Sequence, residues 1–335
     1  MKIAILSPVA WRTPPRKYGP WEQVSSNIAE GLIERGIDVT LFASGDSITR
    51  GKLVSICDQP YAEHPEVDPK VAECLHISHL MEQAHHYDII HNNFDFLPLS
   101  YSRLIKTPMI TTIHGFSSPK IIPVYKKYNN TSYYVSISNS DRSPELSYSA
   151  TVYNGINTSE FSFNAESGKS LLFFSRIHPE KGVSEAIEIA KKSNRKLIIS
   201  GLIQDQDYFA RKVLPHLDEQ DIVYVGNTGP VKRNKLLGDA YALLHPIGFE
   251  EPFGLSVVEA MMCGTPVIAF NRGSMPELIL DGKTGFLVKN VEDAVEAVNS
   301  IEFINRRECM EWATLNFSSQ KMVDGYLDVY QNILR

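Results

Sequence analysis

Short apolar runs of strand length alternate with stretches of helical period along most of the chain. Residues 2–6 (KIAIL) form an almost unbroken apolar run, the pattern of a strand covered on both faces. In 21–35, Val24, Ile28 and Leu32 fall four apart on one helix face, and Gly36 stops the helix. Residues 38–43 (DVTLFA) predict the next strand, and 88–91, 109–113 and 133–137 predict three more. This rhythm implies a parallel, doubly wound sheet.

Residues 154–170 (NGINTSEFSFNAESGKS) break the rhythm and are expected to link two domains. The alternation then restarts. Strands are predicted at 171–175, 196–200, 221–225, 242–245 and 266–270, and helices at 183–192, 231–239, 255–262, 276–280 and 291–300. From about 306 to 335 the chain reads as helical, with Phe317, Met322, Tyr326 and Tyr330 as packing residues. A length of 335 residues suits two such domains. The expected fold is therefore α/β, with two doubly wound Rossmann-like domains facing each other across a cleft. Its parts are 1–155, 156–315 and a closing helix 316–335 that crosses back to the first domain. Ligands of such sheets bind beyond the carboxyl ends of the strands.

Composition narrows the function classes. A net charge of −6 gives no whole-molecule attraction for nucleic acid. Cys57, Cys74, Cys263 and Cys309 form no C-x-x-C pair, and no His cluster has zinc spacing, so no metal site and a reducing, cytoplasmic setting are expected. The start, MKIAILSPVAW, is too short in apolar residues for a signal peptide and reads as a first strand. No run of about 18 apolar residues predicts a membrane span. G-x-G-x-x-G is missing after the first strand and G-x-x-x-x-G-K-[ST] is missing throughout, which argues against a nicotinamide dehydrogenase and a P-loop ATPase.

Four segments place polar groups at strand ends. The densest is 245–266, HPIGFEEPFGLSVVEAMMCGTP. There Phe253, Gly254, Leu255 and Ser256 open a helix, and the N–H groups of a helix start, with its dipole, suit a diphosphate. Glu251 stands on the loop before that helix and Glu259 about one turn inside it. A carboxylate at the second position can accept two hydrogen bonds from a cis-diol, as acidic residues do for ribose in dinucleotide folds. Two glutamates at such spacing are more often solvated charges; the small residues of 262–266 and the NRGSMPELI that follows favour the functional reading. In FSRIHPEKG (174–182), Arg176 and Lys181 offer a guanidinium fork and an ammonium for the charge growing on a pyrophosphate leaving group. Gly19, in PPRKYGPWE (14–22), lets a loop approach a ligand. His114, in TTIHGF (111–116), follows a strand, and His91 in YDIIHNNF is a weaker candidate for the same rim.

At these residues the chain resembles glycosyltransferase family 4, the retaining group with the two-Rossmann GT-B architecture. The similarity rests on YGPWE, DIIHNN, TIHGF, VYNGI, RIHPEKG, FEEPFGLSVVE with seven residues between Glu251 and Glu259, and NRGSMPELILDGKTGFLV. It implies that Arg176 and Lys181 bind the donor diphosphate and that Glu251 binds hydroxyls of the donor sugar near the reacting carbon. Backbone amides of Phe253, Gly254, Leu255 and Ser256 would serve sugar and phosphate. Glu259 would hold the ribose, His114 would contact the sugar near its anomeric centre, and Gly19 would approach the phosphates. Three positions depart from the family pattern: Pro20 replaces the second glycine of the N-terminal pair, Ser175 stands for the glycine before the arginine, and Pro252 for the glycine after Glu251. Pro20 removes one N–H donor at the phosphate edge.

The resemblance implies a hexosyltransferase that needs no metal or other cofactor, with a nucleotide diphosphate sugar as co-substrate. A UDP-sugar is favoured over GDP-mannose. The acceptor would be a glycan, a lipid-linked sugar or a small molecule, near 11–20, 92–98 and 115–127. Trp11, Phe94, Phe96 and Phe116 are candidate sugar-packing aromatics there. Lys126 and Lys127 favour an anionic or lipid-linked acceptor, though such lysines are more often solvated surface; the expected location is cytoplasmic, with peripheral association at the inner membrane face as the further reading. The base is expected near Gly201 and 226–230. A nucleotide-sugar epimerase or glycan phosphorylase on the same fold, or a non-catalytic nucleotide-sugar-binding scaffold, are the rival readings.

Overall fold

The computed structural model describes residues 1–115, 118–218 and 220–335. They form two compact units, Met1–Gly155 with Ser319–Arg335, and Ile156–Ser318.

The first unit is built on β1 (Lys2–Leu6), β2 (Asp38–Phe42), β3 (Lys52–Val54), β4 (Ile89–Asn92), β5 (Met109–Ile113), β6 (Tyr133–Ser136) and β7 (Ala150–Thr151). These strands lie parallel in the order β3-β2-β1-β4-β5-β6-β7. Ile3, Ala4, Ile5 and Leu6 have no exposed surface, as a central strand covered on both faces requires. Helix α1 (Pro20–Glu34) buries Val24, Ile28 and Leu32, the face its spacing predicted. Helix α2 (Pro69–Glu82) is capped by the Asp68 carboxylate, which accepts from the Val71 N–H, and α3 (Ile122–Tyr128) follows β5.

The second unit restarts with β8 (Leu171–Phe174), β9 (Leu197–Ser200), β10 (Ile222–Tyr224), β11 (Ala242–His245), β12 (Val267–Phe270) and β13 (Gly285–Val288). They too are parallel, in the order β10-β9-β8-β11-β12-β13. The helices are α4 (Val183–Lys192), α5 (Gln206–Tyr208), α6 (Pro230–Asp239), α7 (Leu255–Met262), α8 (Met275–Leu278), α9 (Val291–Ser300) and α10 (Arg306–Phe317). Ala186, Ile187 and Ala190 of α4 share one core with Ala294 and Val298 of α9 and with Leu171, Phe173, Leu197 and Ile199 of the sheet.

In each sheet the chain reverses its direction of travel once, beside β1 and β4 in the first and beside β8 and β11 in the second. Ligands of such sheets bind beyond the carboxyl ends of the strands where the direction reverses.

Two expectations need correction. Residues 156–170 are not a free linker: the Ile156 N–H donates to the Phe317 carbonyl and the Asn164 N–H to that of Cys263, so this stretch is part of the second unit. The helical stretch from 306 to 335 is not continuous, and the closing segment 316–335 holds a helix of its own. Ser318 takes extended backbone (φ −73°, ψ 153°) after α10, and α11 (Ser319–Leu334) belongs to the first unit. Met322, Tyr326 and Tyr330 are buried there, and Phe317 is buried in the second unit. No described helix is long and apolar enough to cross a membrane.

Candidate functional site

In the second unit, the loops after β8 and β11 come together. Gly248 N–H donates to the Glu180 carbonyl at 2.7 Å, tying one loop to the other. Lys181 ends a single turn at Pro179–Lys181 and is buried. Its Nζ donates to Glu251 Oε2 at 2.6 Å and lies 4.5 Å from the Phe249 ring centre. His245, at the end of β11, places Nε2 3.6 Å from the same carboxylate oxygen. Burial works against the Glu251 charge, but Lys181 and His245 outweigh it and hold its pKa down to about 2. Arg176 stands just past β8 and donates to the Gln204 side chain.

The turn 271–274 fixes the second loop from behind. Ser274 N–H donates to the Glu251 carbonyl at 2.9 Å, and Arg272 Nη1 to the Gly248 carbonyl at 3.1 Å. Gly254 caps α7 at φ 97°, a conformation costly for any residue with a Cβ. Leu255 and Ser256 then supply first-turn N–H groups, which have no partner within the helix. The Phe253 ring is 2% exposed and packs edge-on against Phe317, so the side chain is core and only its backbone remains for a ligand.

Glu259 lies inside α7, buried, with Oε1 3.1 Å from Arg233 Nη1. Burial raises its pKa despite that guanidinium. Arg233 also leans on the Phe161 ring and faces Glu160, while its Nε has no partner. Near the expected base position, Gly201 N–H donates to the Gly226 carbonyl at 3.1 Å, and Tyr224 OH donates to the Gly201 carbonyl at 2.7 Å.

The first unit carries the other two candidates. Gly19 has φ 150°, and a Cβ there would lie 2.8 Å from Pro15 Cβ and 3.1 Å from Glu22 Oε2, so local packing already demands glycine. Trp21 stacks on the His114 ring at 5.6 Å between centres. His114 Nε2 lies 3.0 Å from Asn93 Oδ1, and burial pushes its pKa down to about 3, keeping the ring neutral. His91 is not on a rim. It is wholly buried between Tyr330 OH (2.7 Å) and Thr112 Oγ1 (2.8 Å), because its strand position points into the α11 packing surface. Phe94 is core, Phe96 packs edge-on against Tyr125, and Phe116 lies outside the described residues. Lys126 pairs with Glu145, and Lys127 lies over the Tyr128 ring. No three His, Cys, Asp or Glu side chains cluster as metal ligands would among the described residues.

Residues 156–312 match the family described as Glycosyl transferases group 1, and 22–160 match Glycosyltransferase Family 4. The chain is a glycosyltransferase of the family 4 type. It is 32% identical to an uncharacterized 41.2 kDa protein of the cps region of Klebsiella pneumoniae, over 49% of this chain and 46% of that one, so the match spans under half of that relative. An uncharacterized glycosyltransferase of Methanocaldococcus jannaschii is 24% identical over 90% of this chain and 89% of its own. The structure of Anabaena HepE in complex with UDP and glucose superposes with a TM-score of 0.76 at 19% identity, covering 99% of both chains. The architecture is GT-B, two parallel-sheet Rossmann-like units.

For this glycosyltransferase, sequence reasoning missed Gln204, Arg233, His245, Trp21 and Asn93. Trp21 and Asn93 lie inside quoted motifs, and His245 opens one, so their position was the available signal. Arg233 and Gln204 sit in polar stretches that read as solvated surface.

Proposed function

We propose that the chain is a retaining hexosyltransferase that takes its sugar from a nucleotide diphosphate, with a UDP-sugar favoured and no metal required. The observation that carries this reading is the buried Lys181–Glu251 pair at 2.6 Å, at the switch point of the second sheet, with Arg176 and the start of α7 on the loops beside it. The UDP and glucose named for the Anabaena structure support the donor class. The leaving diphosphate gains charge as its bond to the anomeric carbon breaks. Arg176, Lys181 and the α7 N–H groups meet that charge, Lys181 from a buried position where a fixed donor acts most strongly. Glu251 is held as a carboxylate, an acceptor for sugar hydroxyls. The family resemblance gives both carboxylates binding roles, Glu251 beside Lys181 and Glu259 beside Arg233, and assigns neither as a nucleophile. That favours same-face substitution: the acceptor oxygen bonds to the anomeric carbon, the carbon–oxygen bond to phosphate breaks, and the departing phosphate oxygen takes the acceptor's proton. The acceptor is a carbohydrate, free or lipid-linked, or a small molecule.

The test is product analysis with UDP-glucose and GDP-mannose against sugar acceptors, in the presence and absence of EDTA. The expected product keeps the donor's anomeric configuration and forms in EDTA. An inverted product, or activity abolished by EDTA and restored by a divalent cation, overturns the corresponding part. Losing one charge-assisted contact costs roughly 1.5–3 kcal/mol, so Arg176→Ala is expected to lower turnover about 10- to 150-fold. Undiminished turnover in that variant would remove Arg176 from the phosphate site.

A further inference from the structure

Two buried polar atoms in the first unit have no partner and sit on neighbouring side chains: Asn93 Nδ2 and His114 Nδ1. Asn93 follows β4 and has no exposed surface; its N–H donates to the Leu6 carbonyl, which fixes the backbone at the switch point. His114 follows β5, the next strand in the sheet. The two side chains meet through His114 Nε2 and Asn93 Oδ1 at 3.0 Å, and Trp21 stacks on the imidazole. A flipped amide would donate from Nδ2 and put the proton on Nδ1; with the carboxamide oxygen facing the ring, this contact instead requires the proton on Nε2, because that oxygen only accepts. In a neutral ring Nδ1 is then a bare acceptor. A buried acceptor without a partner is costly unless a ligand supplies the hydrogen.

We infer that Asn93 is a positioning residue: it locks His114 in the Nε2–H tautomer and so presents Nδ1 as an acceptor for a hydroxyl proton of the bound sugar. The ligand group is a hydroxyl that donates, and Asn93 acts on it through His114. This rests on the transferase reading for the identity of the ligand, while the tautomer itself does not.

Two-bond nitrogen–proton correlation spectra of protein labelled with ¹⁵N-histidine read the tautomer directly, with His114 assigned by its loss in His114→Gln. The wild type is expected to show His114 as the neutral Nε2–H form. Asn93→Ala is expected to give a mixture or the Nδ1–H form, and to lower UDP release from UDP-glucose roughly 3- to 10-fold. Asn93→Asp keeps an acceptor oxygen in place and is expected to keep the Nε2–H form. Nδ1–H in the wild type overturns the inference, as does an unchanged tautomer in Asn93→Ala. If the spectra behave as expected while UDP-glucose is not turned over by any form, the donor reading fails and the tautomer lock stands.

Discussion

Glu22 shows how one buried group ties the loop after β1 to the start of α1. It is 3% exposed, and its Oε1 accepts the Trp11 N–H at 3.1 Å. Burial raises its pKa to about 7, more than its own N–H and that of Trp11 lower it. A carboxyl whose pKa is raised on folding contributes stability below its unfolded value, and that contribution is lost as pH rises through the folded value. The wild type should therefore lose stability between about pH 4.5 and 7 through this group. Glu22→Gln keeps an acceptor for Trp11 without the charge. Its advantage over wild type in urea melts is expected to be small at pH 5 and to grow by roughly 2–4 kcal/mol by pH 8. An advantage that does not change with pH contradicts the assignment. The Lys181–Glu251 pair makes the opposite case, since both groups are charged and buried. Glu251→Gln strands the Lys181 ammonium and is expected to destabilise by roughly 3–5 kcal/mol, with much of the loss recovered in Lys181→Met/Glu251→Gln. Equal melting temperatures for wild type and the single variant would show that the pair is solvated.

At the scale of elements, α11 is held on the first unit by a buried polar chain: Tyr330 OH to His91 Nδ1, His91 Nε2 to Thr112 Oγ1, and Thr112 to Tyr326 OH at 2.8 Å. Tyr330→Phe leaves His91 Nδ1 without its partner and is expected to cost about 1–3 kcal/mol, read as a lowered urea midpoint. A midpoint that does not move would mean the apolar contacts of Met322 and Val323 hold the helix alone. The elements also show what the sequence makes legible. Strands β1, β5, β8 and β11 were visible because central parallel strands are apolar on both faces. Helix α2 was not, because its faces are mixed: Val71 and Leu75 are exposed while His76 is buried with Nε2 on the Ser7 carbonyl. Strands β3 and β7 are three and two residues long, too short for any periodicity. The site loops were legible where glycine, proline and charge concentrate, as in RIHPEKG and FEEPFGLS. Arg233 was not, because a cation among Lys232, Asn234 and Lys235 reads as solvated; only the fold sets it beside Glu259.

The whole molecule is acidic, so attraction for a diphosphate has to come from local groups rather than from net charge. In the proposed site those groups would be Arg176, Lys181 and the first turn of α7, on the loops after β8 and β11 where the second sheet reverses direction. The first unit places Gly19, Asn93 and His114 by the same rule, on loops after β1, β4 and β5. The central claim is that this chain recognises a nucleoside diphosphate through the second unit, and thermal shift with UDP, GDP and ADP, on wild type and Arg176→Ala, tests it most directly. A ligand at about 100 times its dissociation constant adds roughly 2.7 kcal/mol, a rise of about 2–4 °C for a chain of this size. The account predicts that rise with UDP for the wild type and its loss in Arg176→Ala. No shift with any of the three nucleotides, or equal shifts in both proteins, would contradict it.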